Sequence, residues 1–376
     1  MARKTGEELE KLKKKYNCSQ LWSWSRYNCY KTSTYEFFLK YIARVKEDRD
    51  DGIYGVSGNA CHTILEKFYS KEITYDDMIQ EYENALFTFN AGELKYDRTN
   101  EEKNNNIAKK YENCIRHFFS NHDIINKKSE MEKFIVIKVN SFVFQAYIDF
   151  IHKEDGCFII TDWKTSSIYT GKKINKEKGQ LVLYAEGIKQ LGVPLENIKI
   201  RWDFLKYVIV EVSQANGKIT ERNIARNEIG TSLVSNAKMW LKKEKCYSDD
   251  EVDSYLELLA MTNDLSCLPE SVQSRYNIKD CFVYIPFTQE EIDNLKADIV
   301  ETIVDISKKE NEYDKTKDEN VWWEEITDEK SYFFANLSGY SSFLHKPYAE
   351  YLSTRKYSKD TADSKDDDLS WLEGLL

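Results

Sequence analysis

YIDFIHKEDGCFIITDWKTS, residues 147–166, decides the fold. Two runs rich in Ile, Phe and other strand formers flank the turn-forming KEDG, the pattern of a strand hairpin. Asp149 stands near the end of the first run, and Asp162 and Lys164 stand on the second. Side chains alternate along a strand, so Asp162 and Lys164 share one side and Trp163 points to the other. Hairpin pairing brings Asp149 to the same end of the sheet. Two carboxylates and a lysine converging in an apolar sheet need a purpose, because unpaired buried charge is costly.

Outward from this hairpin the pattern continues. KFIVIKVN (133–140) and FVFQAYIDFIH (142–152) read as strands, followed by CFIITDWK (157–164). KEKGQLVLYAEGIKQLG (176–192) has helical apolar spacing and stops at Gly192 before Pro194. IKIRWDFLKYVIVEV (198–212) is a further long strand. The order strand, strand, strand, helix, strand predicts an α/β fold, a central mixed sheet between helices. Helices are expected over 35–45 and 57–70, and over 75–120 with a break at DRTNEEKNNN (97–106). The expected organisation is an N-terminal arm (1–19), a core (20–245), a helical C-terminal region packed on it (246–351), and an acidic flexible tail with an apolar end (352–376).

The chain has 376 residues, 41% hydrophobic and 14% aromatic, enough to bury a full core. Its longest apolar runs are short, and MARKTGEELEKLKKK lacks a signal-peptide core. These features predict a cytoplasmic protein with no membrane span. The eight cysteines form no CxxC pair, so no zinc signature is present and free thiols are expected. The net charge of −10 gives no background attraction to nucleic acid. A local basic groove can still track phosphates.

A divalent cation gives the carboxylates their purpose: hard ions such as Mg²⁺ or Mn²⁺ take carboxylate oxygens and leave positions for water and phosphate. An Asp–Lys pair two residues apart also decorates many solvated strands, so its company matters. Upstream, GNACHTILEKFYS (58–70) carries His62 and Glu66 at i and i+4, on one helical face. Downstream, Gln180 and Tyr184 repeat that spacing. Near the start, LWSWSRYNCYKTSTYEFFLKYI (21–42) combines Ser25 and Arg26 with an aromatic helix. Each has a bland counterpart: a surface His–Glu pair, or a tyrosine packed on a sheet.

Taken in order, these segments resemble the RecB-like/Cas4-like branch of the PD-(D/E)XK nuclease superfamily. The matching features are Ser25-Arg26, Gly58 with His62, Leu65 and Glu66, Ile148-Asp149, Asp162 with Lys164, and Gln180 with Tyr184. The resemblance covers roughly residues 20–212 and implies a restriction-endonuclease-like core. It implies a Mg²⁺- or Mn²⁺-dependent deoxyribonuclease, an exonuclease by preference, in DNA recombination, repair or replication. His62, Asp149 and Asp162 would bind the metal, with the Trp163 carbonyl adding a ligand. Lys164 would orient the attacking water and stabilise phosphate charge. Glu66 would support the site, while Gln180, Tyr184, Ser25 and Arg26 would hold the nucleic acid. Two alternatives stay open, a non-catalytic or partner-activated DNA-binding subunit and an endonuclease. Many relatives hold an iron–sulfur cluster on four cysteines, but no cysteine follows Cys281 here, so that ligation is not expected. Aromatics such as Trp322, Trp323, Phe333 and Phe334 would do the tethering instead. The ending LSWLEGLL (369–376) on its acidic leash fits a docking peptide for a replication or recombination protein.

Overall fold

The computed structural model describes residues 4–49, 52–97, 100–324 and 338–340. The expectations placed on Phe333, Phe334 and the 352–376 tail lie outside the described residues. The strands are β1 (Leu21–Trp22), β2 (Ser129–Val139), β3 (Phe142–Glu154), β4 (Cys157–Lys164), β5 (Ile198–Ser213), β6 (Ile219–Ala225) and β7 (Tyr276–Ile285). The helices are α1 (Gly6–Tyr16), α2 (Trp24–Thr32), α3 (Thr34–Phe37), α4 (Ile53–Tyr69), α5 (Tyr75–Ala91) and α6 (Glu101–Asn121). They continue with α7 (Lys172–Glu177), α8 (Gly179–Gln190), α9 (Ile229–Glu244), α10 (Asp249–Thr262), α11 (Glu270–Gln273) and α12 (Gln289–Thr316).

The seven strands form one mixed sheet in the order β1-β3-β4-β5-β6, with β2 pairing β3 and β7 pairing β5. The β3–β4 pair is antiparallel and the β4–β5 pair parallel, the crossover between them carrying α7 and α8. The expected α/β architecture is therefore present, a mixed sheet flanked by helices. The region beyond 246 is helical but also holds β7, which pairs antiparallel with β5.

The decisive turn is Asp155–Gly156, with φ of 48° and 81°. Two consecutive positive φ values in a two-residue loop match the right-handed strand twist. It locks the register that pairs Glu154 with Cys157 and Phe150 with Thr161. A Cβ on Gly156 would meet nothing within 4 Å, so the demand is purely conformational. Gly156→Val is expected to cost about 1–2 kcal/mol, read as a lowered urea midpoint with unchanged slope.

The chain divides into two compact units. The first contains 52–137 and 146–292. Here α4, α5 and α6 pack on the sheet face that carries Phe150, Trp163 and Leu205, through Ile64, Leu65, Tyr82 and Phe118. Each such large apolar side chain contributes roughly 1.5–3 kcal/mol on burial. Helix α8, buried from Leu181 to Ile188, packs against β4 and β5. It approaches β2 so closely that a Cβ on Gly187 would sit 2.7 Å from Ile135 Cδ1. Beneath β5 and β7, the buried Arg226 guanidinium pairs with Asp280, which also accepts the Asp123 N–H at 2.9 Å.

Among the described residues the second unit contains 4–49, 138–145, 293–324 and 338–340. Its strand β1 pairs parallel with residues 143–144 of β3. Trp322, fully buried, stacks against Phe37 and Phe38 with centroids 5.9 Å away in each case. Trp323 meets Tyr35 edge-on at 4.7 Å.

Candidate active site

The site belongs to the first unit and begins with register. The β3–β4 hairpin pairs Phe150 with Thr161, so the next step along this register sets Asp149 against Asp162. Residues opposite each other in an antiparallel pair project to the same face. The two carboxyls are therefore neighbours, with Trp163 on the reverse face, packed against Phe150 and Tyr69.

Helix α4 supplies the imidazole. His62 Nε2 lies 3.1 Å from the Trp163 carbonyl oxygen, and Nδ1 lies 3.4 Å from Asp149 Oδ2. Glu66, one turn further along α4, is half-buried. Strand β2 brings a group that the sequence reading missed. Glu132 joins His62 and Asp149, the ligand atoms of the three all lying within 4.8 Å of one another. Its backbone has φ 44°, a left-handed conformation that costs a side-chain-bearing residue about 1–2 kcal/mol. Such strain collects where function over-determines geometry.

Asp162 is 4% exposed and holds Lys164, whose Nζ lies 2.9 Å from Oδ1 and 2.7 Å from Oδ2. Burial alone would discharge this lysine, but Asp162 more than reverses the effect and raises its pKa. Nζ therefore keeps its proton and serves as donor and positive charge, not as a base. Asp149 is pushed well above the ordinary carboxyl range, by burial first and then by Asp162 within hydrogen-bonding reach. Burial lowers the pKa of His62, which is neutral at pH 7. On α8, Gln180 Nε2 donates to the Tyr184 hydroxyl at 2.7 Å. Burial, and then Asp149, raise the Tyr184 hydroxyl so that it stays protonated.

The donor set fits a divalent cation on two observations. Asp149 Oδ2 is buried and accepts no hydrogen bond among the described residues. Neutral His62 has one N–H, which the Trp163 carbonyl 3.1 Å from Nε2 can accept, and this leaves the lone pair of Nδ1, 3.4 Å from Asp149 Oδ2, for a further partner. A cation drawing on an imidazole lone pair and on Asp149 Oδ2 resolves both. The geometry thus brings together His62, Asp149, Asp162, Lys164, Gln180 and Tyr184, and adds Glu132. Asp162, with its two oxygens 2.9 and 2.7 Å from the Lys164 amine, lies outside the group of His62, Glu132 and Asp149 whose ligand atoms come within 4.8 Å of one another.

Ser25 and Arg26 belong to the second unit. Ser25 is exposed on α2, its hydroxyl 3.1 Å from Ser23 Oγ. The Arg26 guanidinium lies 5.0 Å from the Trp22 ring centre and 4.9 Å from that of Tyr41, with Glu310 at 3.8 Å. Burial lowers its pKa, and Glu310 opposes the shift.

No curated protein sequence matches the chain. Residues 21–318 match the family profile of the PD-(D/E)XK nuclease superfamily.

Proposed function

The chain belongs to the PD-(D/E)XK nuclease superfamily, and on that premise we propose that it is a Mg²⁺- or Mn²⁺-dependent deoxyribonuclease of the RecB-like/Cas4-like branch. It works as an exonuclease on DNA ends in recombination, repair or replication. The observation that carries the reading is the pair Asp149 and Asp162 side by side. Lys164 is clamped on one, and a buried, unsatisfied oxygen of the other is turned to His62. His62, Glu132, Asp149 and Asp162 would hold the cation, with the Trp163 carbonyl within reach of the same imidazole. The cation would lower the pKa of a water and neutralise phosphoryl oxygens. Lys164, protonated, donates to the phosphate or the attacking water as charge develops. Gln180 fixes the Tyr184 hydroxyl, which is left to donate toward the strand or the carboxylates. Among the described residues no helix is long and apolar enough to cross a membrane.

End-labelled linear DNA and covalently closed circular DNA, incubated with Mg²⁺, Mn²⁺ or EDTA, test the proposal. Metal-dependent loss of the linear form alone is expected. Cutting of the circle would make the enzyme an endonuclease. DNA bound but never cut would leave a non-catalytic subunit.

The raised Asp149 carboxyl predicts two pH effects of opposite sign. Cation binding must displace its proton, so Mn²⁺ affinity rises with pH, with proton release visible by calorimetry in buffers of different ionisation enthalpy. Without metal, the unfolded chain ionises Asp149 at its ordinary pKa while the folded chain still holds the proton. That contribution to stability is present at low pH and is lost as pH rises toward the folded value. Thermal midpoints of metal-free protein, compared with Asp149→Asn, isolate it.

A further inference from the structure

The chain carries a net charge of −10, yet residues 164–178 contain five lysines and one acid, Glu177. This stretch leaves β4 at Lys164, forms α7 and enters α8. Two of its lysines are committed: Lys164 to Asp162, and Lys178 to Glu291. Lys172, Lys173 and Lys176 are exposed and make no ion pair among the described residues. They sit at i, i+1 and i+4 on α7, so Lys176 lies next to both others. Like charges at that spacing are mildly destabilising, a cost that an anionic ligand removes.

A chain of contacts places this cluster beside the site. Lys173 Nζ lies 4.6 Å from the centre of the Tyr169 ring. Tyr169 packs edge-on against Trp202 and Phe204, at 4.9 and 5.1 Å. Trp202 and Phe204 are the β5 partners of Asp162 and Lys164. Two packed side chains therefore separate Lys173 from the Asp162–Lys164 pair, with Lys172 and Lys176 beside it on α7.

We propose that α7 tracks the backbone of the bound strand, with Lys172, Lys173 and Lys176 neutralising phosphates next to the one being cut. The assignment rests on the reading of the site as a DNA nuclease. Lysines that contact phosphates carry no sequence information, so α7 supplies affinity and register without sequence preference. It also gives an acidic protein a local positive entry to a site lined with carboxylates.

The test is fluorescence anisotropy of a labelled single-stranded oligonucleotide in Ca²⁺, over 50–300 mM KCl. It compares wild type, the triple variant Lys172→Gln/Lys173→Gln/Lys176→Gln, and a control with Lys242, Lys243 and Lys245 changed to Gln. Each phosphate contact contributes about 0.7 to the slope of log K against log salt on single strands. The α7 variant is expected to lose about 2 from that slope and at least tenfold in affinity at low salt, while the control keeps both. All the substituted lysines are exposed, and unchanged circular dichroism confirms folding. A wild-type slope in the α7 variant, or an equal loss in the control, overturns the assignment. Wild type that binds no DNA at any salt refutes the underlying reading, and the assignment with it.

Discussion

Lys164→Ala is expected to lower the rate of DNA cleavage about 10²- to 10³-fold, the loss typical of one preorganised donor to developing charge. It should leave Mn²⁺ binding in place. The two effects separate because Lys164 supplies no metal ligand of its own, while the side chains that would hold the cation, His62, Glu132, Asp149 and Asp162, all remain. Removing the amine leaves Asp162 nearly buried without its countercharge, so the variant gains a reason to bind a cation there. Single-turnover rates at saturating Mn²⁺, with calorimetric stoichiometry beside them, make the check. Lys164→Arg restores charge but not the compact ammonium geometry, and rescues little. A Lys164→Ala enzyme that cuts at the wild-type rate would remove Lys164 from the chemistry.

Trp322→Ala is expected to cost about 3–5 kcal/mol, the range for truncating a buried tryptophan. The indole stacks on Phe37 and on Phe38, and the Trp322 backbone carbonyl accepts from Thr34 Oγ1 at 2.8 Å. It joins segments far apart in the chain, 34–38 and 322. The indole N–H is buried without a hydrogen-bond partner among the described residues. Trp322→Phe therefore loses area but no hydrogen bond, and should fall well short of the alanine loss. Guanidinium denaturation followed by circular dichroism reads both. Equal losses for Phe and Ala would mean that the ring stack is not what holds this unit.

The strands around the site were legible because their chemistry is unambiguous. Ile- and Phe-rich runs separated by Asn-Ser and Asp-Gly can hardly be anything but a meander. His62, placed on a helix by its i+4 partner Glu66, does lie at the carboxylates. Glu132 was missed, although it lies on β2, which pairs with the strand that carries Asp149. In SEMEKF it looked like a solvated strand face, and its positive φ is invisible in sequence. Strand β7 hid for another reason. YNIKDCFVYI interrupts its apolar pattern with Asn277, Lys279 and Asp280, and only the fold supplies Arg226 to make a buried Asp280 tolerable. Strand β6 is mostly exposed and so has little apolar signature. The partners of Arg26 could not be foreseen either, since Glu310 is distant in sequence.

Single-turnover cleavage of a linear, end-labelled DNA by wild type and Asp149→Asn, in Mn²⁺ and in EDTA, tests the central claim most directly. The substitution keeps the size of the side chain while removing the carboxyl that can ionise to take a cation beside His62 and Asp162. Metal-dependent cleavage by wild type is expected, with none in EDTA, and the variant should stay folded but neither cut nor bind Mn²⁺ at the wild-type stoichiometry. A folded Asp149→Asn protein that cuts at the wild-type rate would contradict that claim.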